Sequence, residues 1–122
     1  MQRPVLIAGA WRPSEAVGTF QAENPATREK LADEYPISSW ADCEAALAAA
    51  ATAAQTLRGM PGSRVAEFLE VLAAGIEARA GELVEMAHAE TALPASPRLK
   101  DVELPRTTGQ LRQAAKAARE GS

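Results

Sequence analysis

Cysteine is almost absent from this chain of 122 residues: Cys43 is the only one, so no disulfide bond can form within the sequence. No apolar run is long enough to span a membrane, and the amino terminus lacks the charged and apolar stretches of a secretory signal. A cytoplasmic protein without a membrane partner is therefore expected. Acidic and basic residues are interspersed with a net charge of -3, which argues against a nucleic-acid binder with a basic footprint.

Large apolar side chains are scarce as well. Leu, Ile, Val and Phe together number 22, whereas Ala alone numbers 28. Because an Ala side chain buries little area at roughly 25 cal/mol per Å², helices rich in Ala approach closely but gain only modest free energy. We therefore expect the folded chain to need stabilising contacts with other polypeptide segments.

Two hairpins are predicted near the amino terminus, with residues 13–18 as a loop between them. Gly9 accepts the positive φ of a tight turn, and the residue before Pro25 is pushed toward extended geometry. The predicted strands are residues 5–7, 10–12, 19–23 and 30–35. Two such hairpins are not stable alone in water, so we expect a helical layer or a larger sheet against them.

Local signals divide the rest of the chain into about four helices. Ser39 followed by Asp42 is a capping-box pattern, Gly59 is the expected end of the first helix, and Pro61 opens the second. The remaining boundaries are expected at Gly81, at Pro94 and at Pro105, which bends or restarts the fourth helix.

The second predicted helix is amphipathic. Its apolar residues recur at the spacing of one helical face, namely Val65, Phe68, Leu69, Leu72 and Ile76. Glu67, Glu70 and Glu77 fall off this face, and we expect them on a solvated flank.

Three stretches of the sequence resemble the NAD(P)-dependent aldehyde dehydrogenases. They are Leu6-Ile7-Ala8-Gly9-Ala10-Trp11-Arg12, then Phe20-Gln21-Ala22-Glu23-Asn24-Pro25-Ala26-Thr27, and Glu90-Thr91-Ala92-Leu93-Pro94 with Arg98-Leu99, Glu103, Arg106-Thr107 and Gln110-Leu111-Arg112. The last stretch looks like the amino-terminal helical region of these enzymes. It is most similar to those that oxidise alpha-ketoglutaric semialdehyde (2,5-dioxovalerate). The resemblance covers essentially the whole chain, but such enzymes are several times longer.

The resemblance implies an α+β fold in which residues 1–122 are the amino-terminal segment of the cofactor-binding domain. Hairpins would occupy residues 1–37 and helices residues 38–122, with the Rossmann-like sheet downstream. The complete enzyme is expected to oxidise an aldehyde to the carboxylic acid with NAD or NADP and to form a homo-oligomer. Its expected partners are the remainder of the dehydrogenase polypeptide and a small aldehyde that carries a carboxylate.

The chain alone is expected to be inactive and to bind no cofactor. Aldehyde oxidation requires a thiolate, a general base, an oxyanion donor and a dinucleotide site. Cys43 stands between two acidic residues and is predicted to be a small helix-packing residue, and His88 has no second ligand or base at a recognised spacing. The glycines do not fit G-x-G-x-x-G. No catalytic or cofactor-binding residue is therefore assigned.

Arg106 and Gln110 are the candidate substrate residues. They lie on one polar stripe at i and i+4, and the resemblance implies that the position of Arg106 faces the tunnel by which the aldehyde reaches the catalytic thiol. Because a guanidinium forms paired charge-assisted bonds with a carboxylate, Arg106, assisted by Gln110, is expected to steer an acidic semialdehyde. The alternative is a surface arginine or one bonded within the helix pair.

Some relatives also hold a sodium or potassium ion, and the matching positions here are Ala22, Glu23 and Glu90. The first two would supply backbone carbonyls and Glu90 a carboxylate, which are oxygen ligands that hard cations favour. The alternative for Glu90 is a local cap or ion pair.

Two other functions stay open from the sequence. The first is a small helical protein-interaction module without enzymatic activity, which would use the Ala-rich faces of the helices. The second is a binding protein for acidic metabolites that uses Arg106 and Arg112.

Overall fold

A computed structural model describes residues 1–121. The chain divides into two compact units, Met1–Gly59 and a second one that begins at Met60. Residues 1–121 have mixed α and β structure, with two small antiparallel strand pairs and four α-helices, which confirms the predicted α+β class. Ser122, the last residue of the predicted helical region, lies outside the described residues.

The first hairpin forms as predicted. Strand β1 (Val5–Ile7) pairs antiparallel with β2 (Ala10–Arg12), and the two turn residues Ala8 and Gly9 have φ of 53° and 79°. Two consecutive positive φ values match the right-handed twist of the flanking strands, and Gly9 adopts such a value without a steric penalty.

The second hairpin is longer than the sequence indicated. Strand β3 (Ala16–Glu23) pairs with β4 (Lys30–Ser38). Residues 16–18 therefore belong to β3, whereas the sequence predicted a loop there. The extension includes Pro36 opposite Thr19, and irregular register interrupts the pairing in two places. A proline is tolerated because β4 lies at an edge of a two-stranded ribbon, where one of its sides needs no ladder bond.

The turn between β3 and β4 is organised by Asn24. Its side-chain oxygen accepts hydrogen bonds from the backbone N–H groups of Ala26 and Thr27, at 2.9 and 3.4 Å. Its backbone carbonyl also accepts from the N–H of Arg28, at 2.8 Å. An Asx side chain that bonds two residues ahead is typical of a turn, which explains the Asn-Pro signal in the sequence.

Helix α1 (Trp40–Arg58) follows in the first unit. Ser39 caps it by accepting a hydrogen bond from the backbone N–H of Asp42 at 3.3 Å, and Gly59 ends it, both as predicted. The capping box is nevertheless incomplete, because the Asp42 carboxylate does not return to the helix end. It bonds instead to the segment before β3, and the N–H of Ser39 donates to the carbonyl of Glu15.

The second unit contains α2 (Gly62–Ala78), α3 (Ala80–Thr91), a π-helical segment (Ala95–Glu103) and α4 (Leu104–Glu120). Helix α3 begins directly after Arg79, so the expected joint at Gly81 lies inside its first turn. Pro105 stands in the first turn of α4, where its missing N–H costs no helical bond. This position explains why the helix restarts there.

The buried core of the second unit is made of small residues. Ala66, Ala73 and Ala115 are fully buried, with Thr108 and Leu99 nearly so. The large apolar residues of α2 are not the centre of this core. Phe68 is 64% exposed and Leu72 is 41% exposed, so α2 packs through its alanines and leaves the more apolar face outside.

Candidate functional site

Helix α4, which carries the candidate substrate residues, packs antiparallel against α2. Buried Thr108 and Ala115 are seven residues apart on α4, and buried Ala66 and Ala73 are seven residues apart on α2. A spacing of seven residues returns to the same side of a helix, so each helix presents one stripe of small residues. The stripes allow the two backbones to approach closely.

Two arginine–glutamate pairs join the same helices. Both amino groups of Arg112 contact the Glu77 carboxylate, with N–O distances of 2.5 and 2.8 Å. Arg119 forms the same paired arrangement with Glu70, and one of its two bonds is 2.9 Å long. Two of the three glutamates predicted for a solvated flank, Glu70 and Glu77, therefore connect α2 to α4, whereas Glu67 pairs with Arg64 within α2. Such paired geometry adds orientational specificity to the packing of small residues.

The pairing with Arg112 holds the pKa of Glu77 well below its ordinary value of 4.5, at about 2. The hydrogen bonds from Arg112 favour the ionised carboxylate, and the partial removal of water opposes them only in part. Arg119 lowers the pKa of Glu70 in the same way. Both glutamates are thus kept ionised by the folded helix pair.

Arg106 and Gln110 lie on the side of α4 that points away from α2. Both residues are exposed, and at about 100° per residue they stand roughly 140–180° around the helix from Thr108 and Ala115. Among residues 1–121 the side chain of Arg106 makes no ion pair or hydrogen bond. Arg112 and Arg119, and not Arg106, are therefore the arginines of α4 bonded within the helix pair.

The Arg106 guanidinium thus lies on the exposed face of α4, while the opposite face of the helix packs against α2. The Arg106 guanidinium has five N–H donors and no protein acceptor among the described residues, and Gln110 adds an amide one turn further on. Such a pair of side chains is suited to a planar anionic group such as a carboxylate. The substrate role of both residues stays a prediction.

The three positions of the expected cation site belong to different units. Ala22 and Glu23 close strand β3 in the first unit, directly before the Asn24 turn, whereas Glu90 is near the end of α3 in the second. Within residues 1–121 the Glu90 carboxylate has no ion pair or hydrogen bond, so it is not the local cap considered above. The described part of the chain contains no cluster of three or more His, Cys, Asp or Glu able to hold a metal ion. A site made largely of carbonyls is a different arrangement and stays a prediction.

The two side chains weighed as catalytic groups have ordinary surroundings. Cys43 is exposed on α1, in contrast to the packing position expected for it. The Nδ1 atom of His88 lies 2.6 Å from the carbonyl oxygen of Leu93, a contact local to the end of α3. Neither geometry pairs a nucleophile with a base.

Asp42 is a polar centre that the sequence did not reveal. It is 3% exposed and accepts hydrogen bonds from Arg12 at 2.8 Å, from the Ser14 hydroxyl at 2.6 Å and from the Glu15 N–H at 2.9 Å. The Ser14 bond is the main reason that the pKa of Asp42 is lowered, with the Glu15 and Arg12 contacts adding to it against the effect of burial. The only sequence signal was a carboxylate at the third position of a helix, which predicts a cap and not this network.

None of the helices among residues 1–121 is both long enough and apolar enough to cross a lipid bilayer.

Comparison with known proteins gives consistent results. The sequence model of the aldehyde dehydrogenase family matches residues 11–122 of this chain. Alpha-ketoglutaric semialdehyde dehydrogenase 2 of Azospirillum brasilense is 38% identical over 117 residues, which are 95% of this chain and 22% of that protein.

Two solved structures share the fold. An aldehyde dehydrogenase from Bartonella henselae has a TM-score of 0.88 and 21% identity, with 99% of this chain and 25% of that chain covered. An NAD-dependent benzaldehyde dehydrogenase from Corynebacterium glutamicum has a TM-score of 0.84 and 22% identity, with 95% and 25% covered. The chain therefore spans about a quarter of the length of the relatives it matches.

Proposed function

Because the chain belongs to the aldehyde dehydrogenase family, we propose that it forms the amino-terminal segment of the cofactor-binding domain of an enzyme that oxidises an aldehyde to the carboxylic acid. The observation that carries this proposal is the family match over residues 11–122. In the proposed domain, residues 1–37 supply the hairpins and residues 38–122 the helical region. The cytoplasmic location and the homo-oligomer expected from the sequence belong to the same proposal.

The reacting groups of the proposed enzyme belong to the remainder of the polypeptide. NAD or NADP, when bound there, accepts the hydride that leaves the aldehyde carbon. The part assigned to the present residues is to bind and orient the end of the substrate that does not react. Orientation of this kind contributes to rate because the reacting atoms are held in a productive geometry.

We assign the carboxylate end of a semialdehyde acid to Arg106, with Gln110 as a second donor. The support is the exposure of both side chains on the outer face of α4, together with the unengaged guanidinium of Arg106. The curated relative, at 38% identity, acts on alpha-ketoglutaric semialdehyde by its name, which is an aldehyde of this class. Alpha-ketoglutaric semialdehyde is therefore the proposed substrate.

A chimeric enzyme tests the activity. The matching segment of the Azospirillum enzyme is replaced by these residues, and the absorbance of reduced NAD or NADP is followed with alpha-ketoglutaric semialdehyde. We expect reduction of the cofactor by the folded chimera. A chimera that is folded by circular dichroism but oxidises no aldehyde would contradict the proposed function.

Arg106→Met in this chimera tests the substrate assignment. Loss of a charge-assisted pair is expected to lower kcat/KM for the acidic aldehyde about tenfold, with little change for a neutral aldehyde of similar size. Lys116→Met is the matched control, since Lys116 is an exposed cation elsewhere on α4. Equal losses for the two aldehydes would refute the assignment.

We also propose that the carbonyls of Ala22 and Glu23 and the carboxylate of Glu90 hold a sodium or potassium ion in the complete enzyme. The support is the position of the first two residues before the Asn24 turn and the unpaired state of Glu90 within residues 1–121. Added potassium should raise the melting temperature of the chimera, because a bound ion stabilises the folded state, and Glu90→Gln should abolish the increase. An unchanged response in the variant would exclude Glu90 as a ligand.

The structure bears on the acidic-metabolite alternative. Arg112 is engaged by Glu77, so Arg106 and Arg112 do not form one open anion site in the folded helix pair. Titration of the chain with alpha-ketoglutarate is expected to show no heat of binding.

A further inference from the structure

Glu103 is a carboxylate that stands close to Arg106 along the chain and does not pair with it. It lies three residues before Arg106, and the backbone is helical at Glu103 and at the next residue, with φ of -71° and -65°. Residues three or four apart on a helix are neighbours, so a glutamate and an arginine at this spacing attract each other. The residues at these distances on either side of Arg106 are Val102, Glu103, Gly109 and Gln110. Because Glu103 is the only charged residue among them, it is the local competitor for the Arg106 guanidinium.

The Glu103 carboxylate is engaged by a different arginine. Nε of Arg98 donates a hydrogen bond to Oε1 of Glu103 at 2.9 Å, and Nη2 of the same guanidinium lies 2.9 Å from that oxygen. Arg106 makes no ion pair in the part of the chain that the structure describes. Glu103 therefore pairs with the arginine five residues before it and not with the one three residues after it.

The π-helical segment explains which arginine is chosen. Its backbone hydrogen bonds span five residues: the N–H of Leu99 donates to the carbonyl of Pro94 at 3.1 Å, and the N–H of Leu104 donates to the carbonyl of Leu99. A turn of this kind brings residues i and i+5 to the same side, whereas in an α-helix they stand about 140° apart. Arg98 and Glu103 have this spacing, so the segment holds the two side chains together.

We propose that Arg98 is a positioning residue for substrate choice, because it occupies Glu103 and so leaves Arg106 free for the carboxylate of an acidic aldehyde. The inference rests on the proposed function of Arg106 and adds the reason that its guanidinium stays available. Without Arg98, the Glu103 carboxylate competes with the substrate for Arg106. Only the molecules with a free guanidinium then bind the acid well, and the apparent affinity falls in proportion to their fraction.

Steady-state kinetics of the chimera with the Azospirillum enzyme test the inference. Arg98→Met should raise KM for the acidic aldehyde about two- to threefold with kcat unchanged, because a pair three residues apart on an exposed helix forms only part of the time. KM for a neutral aldehyde of similar size should not change. Arg64→Met is the matched control, since it removes another exposed arginine–glutamate pair, the one with Glu67 on α2, and should alter neither KM.

A second substitution separates competition from a structural role of the ion pair. Arg98→Met combined with Glu103→Gln also lacks the pair but contains no competing carboxylate, so its KM for the acidic aldehyde should return to that of the unaltered chimera. Arg98→Lys keeps a cation for Glu103 and should retain the low KM. The inference is overturned if the double variant is no better than Arg98→Met, or if Arg98→Met behaves like the Arg64→Met control.

A measurement on the 122-residue chain itself keeps failure of the inference apart from failure of the proposed function. The Nε–H resonance of Arg106 in an NMR spectrum, identified by its loss in Arg106→Lys, should shift in Arg98→Met and return in the double variant. If it does so while a folded chimera oxidises no aldehyde, the competition by Glu103 is supported and the proposed activity fails. If the chimera prefers the acidic aldehyde but Arg98→Met moves neither the resonance nor KM, the proposed function stands and the inference is wrong.

Discussion

Gly62 of α2 lies directly against the backbone of Ala118 in α4: a Cβ atom on Gly62 would stand 2.0 Å from the Ala118 carbonyl oxygen. Because that oxygen belongs to the backbone of a helix, it cannot move aside as a flexible side chain would. The close approach marks one end of the contact between α2 and α4. Here glycine is required for space, not for an unusual φ.

Gly62→Ala should therefore destabilise the chain. Overpacking of this kind costs about 1–3 kcal/mol, more than the roughly 1 kcal/mol that alanine gains over glycine in a helix. The control is Gly109→Ala on α4, where no atom lies within 4 Å of an added Cβ, and it should be neutral or stabilising. Urea unfolding followed by circular dichroism gives both values; a Gly62→Ala chain as stable as the control contradicts the packing described.

The free energy of unfolding should fall at low pH because Glu77 becomes protonated. Its pKa in the folded chain, about 2, is below its ordinary value of 4.5, so its contribution is complete above pH 4.5 and is lost as the pH falls toward 2. Glu77→Gln should reduce this dependence without removing it, since Glu70 and Asp42 also have a lowered pKa. The measurement is the melting temperature at a series of pH values.

The control for Glu77 is Glu85→Gln. Glu85 is exposed and makes no ion pair within residues 1–121, so its substitution should leave the acid dependence as it is. An identical pH profile for the Glu77 variant and the unaltered chain would show that the pair with Arg112 does not persist in solution.

Asp42→Asn should loosen the first unit. The amide keeps the shape of the carboxylate but weakens the bonds from Arg12 and Ser14, because charge-assisted hydrogen bonds are the stronger kind. We expect the melting temperature to fall by several degrees and the amide protons near Glu15 to exchange faster. Glu44→Gln, an exposed neighbour on α1, should change neither; equal behaviour of the two variants would assign Asp42 no special role.

The sequence predicted those parts of the fold that depend on neighbouring residues. The Ala8-Gly9 turn, the Ser39 cap, the stop at Gly59 and the restart at Pro105 each have a cause within a few positions along the chain. The hairpins and helices followed from these local signals, and the α+β class from them together with the family resemblance. The beginning of β3 was missed because its strand character comes from its pairing with β4, a contact distant in sequence.

The packing of α2 could not be predicted from its own periodicity. The pattern shows that Phe68 and Leu72 share a face, but it does not show whether that face or the Ala66 stripe meets α4. Side-chain size favoured the wrong answer, since close approach of two backbones requires small residues. Which face of α2 meets α4 is determined by α4 itself, where the small residues Thr108 and Ala115 stand opposite the alanines of α2.

The candidate site was predictable to a similar extent. The spacing of Arg106 and Gln110 placed them on one face of α4, and the structure adds that this face is exposed. The engagement of Arg112 and the burial of Asp42 had no sequence signal, because their partners lie 35 and about 30 positions away.

The two guanidinium pairs of α4 have a mechanical consequence. Arg112 and Arg119 are separated by seven residues and form ion pairs with Glu77 and Glu70, which lie two turns apart on α2. Because both ion pairs lie along the same side of α4, they oppose rotation of α4 about its own axis. The direction in which Arg106 projects is thus fixed by bonds on the far side of its own helix, before any ligand arrives.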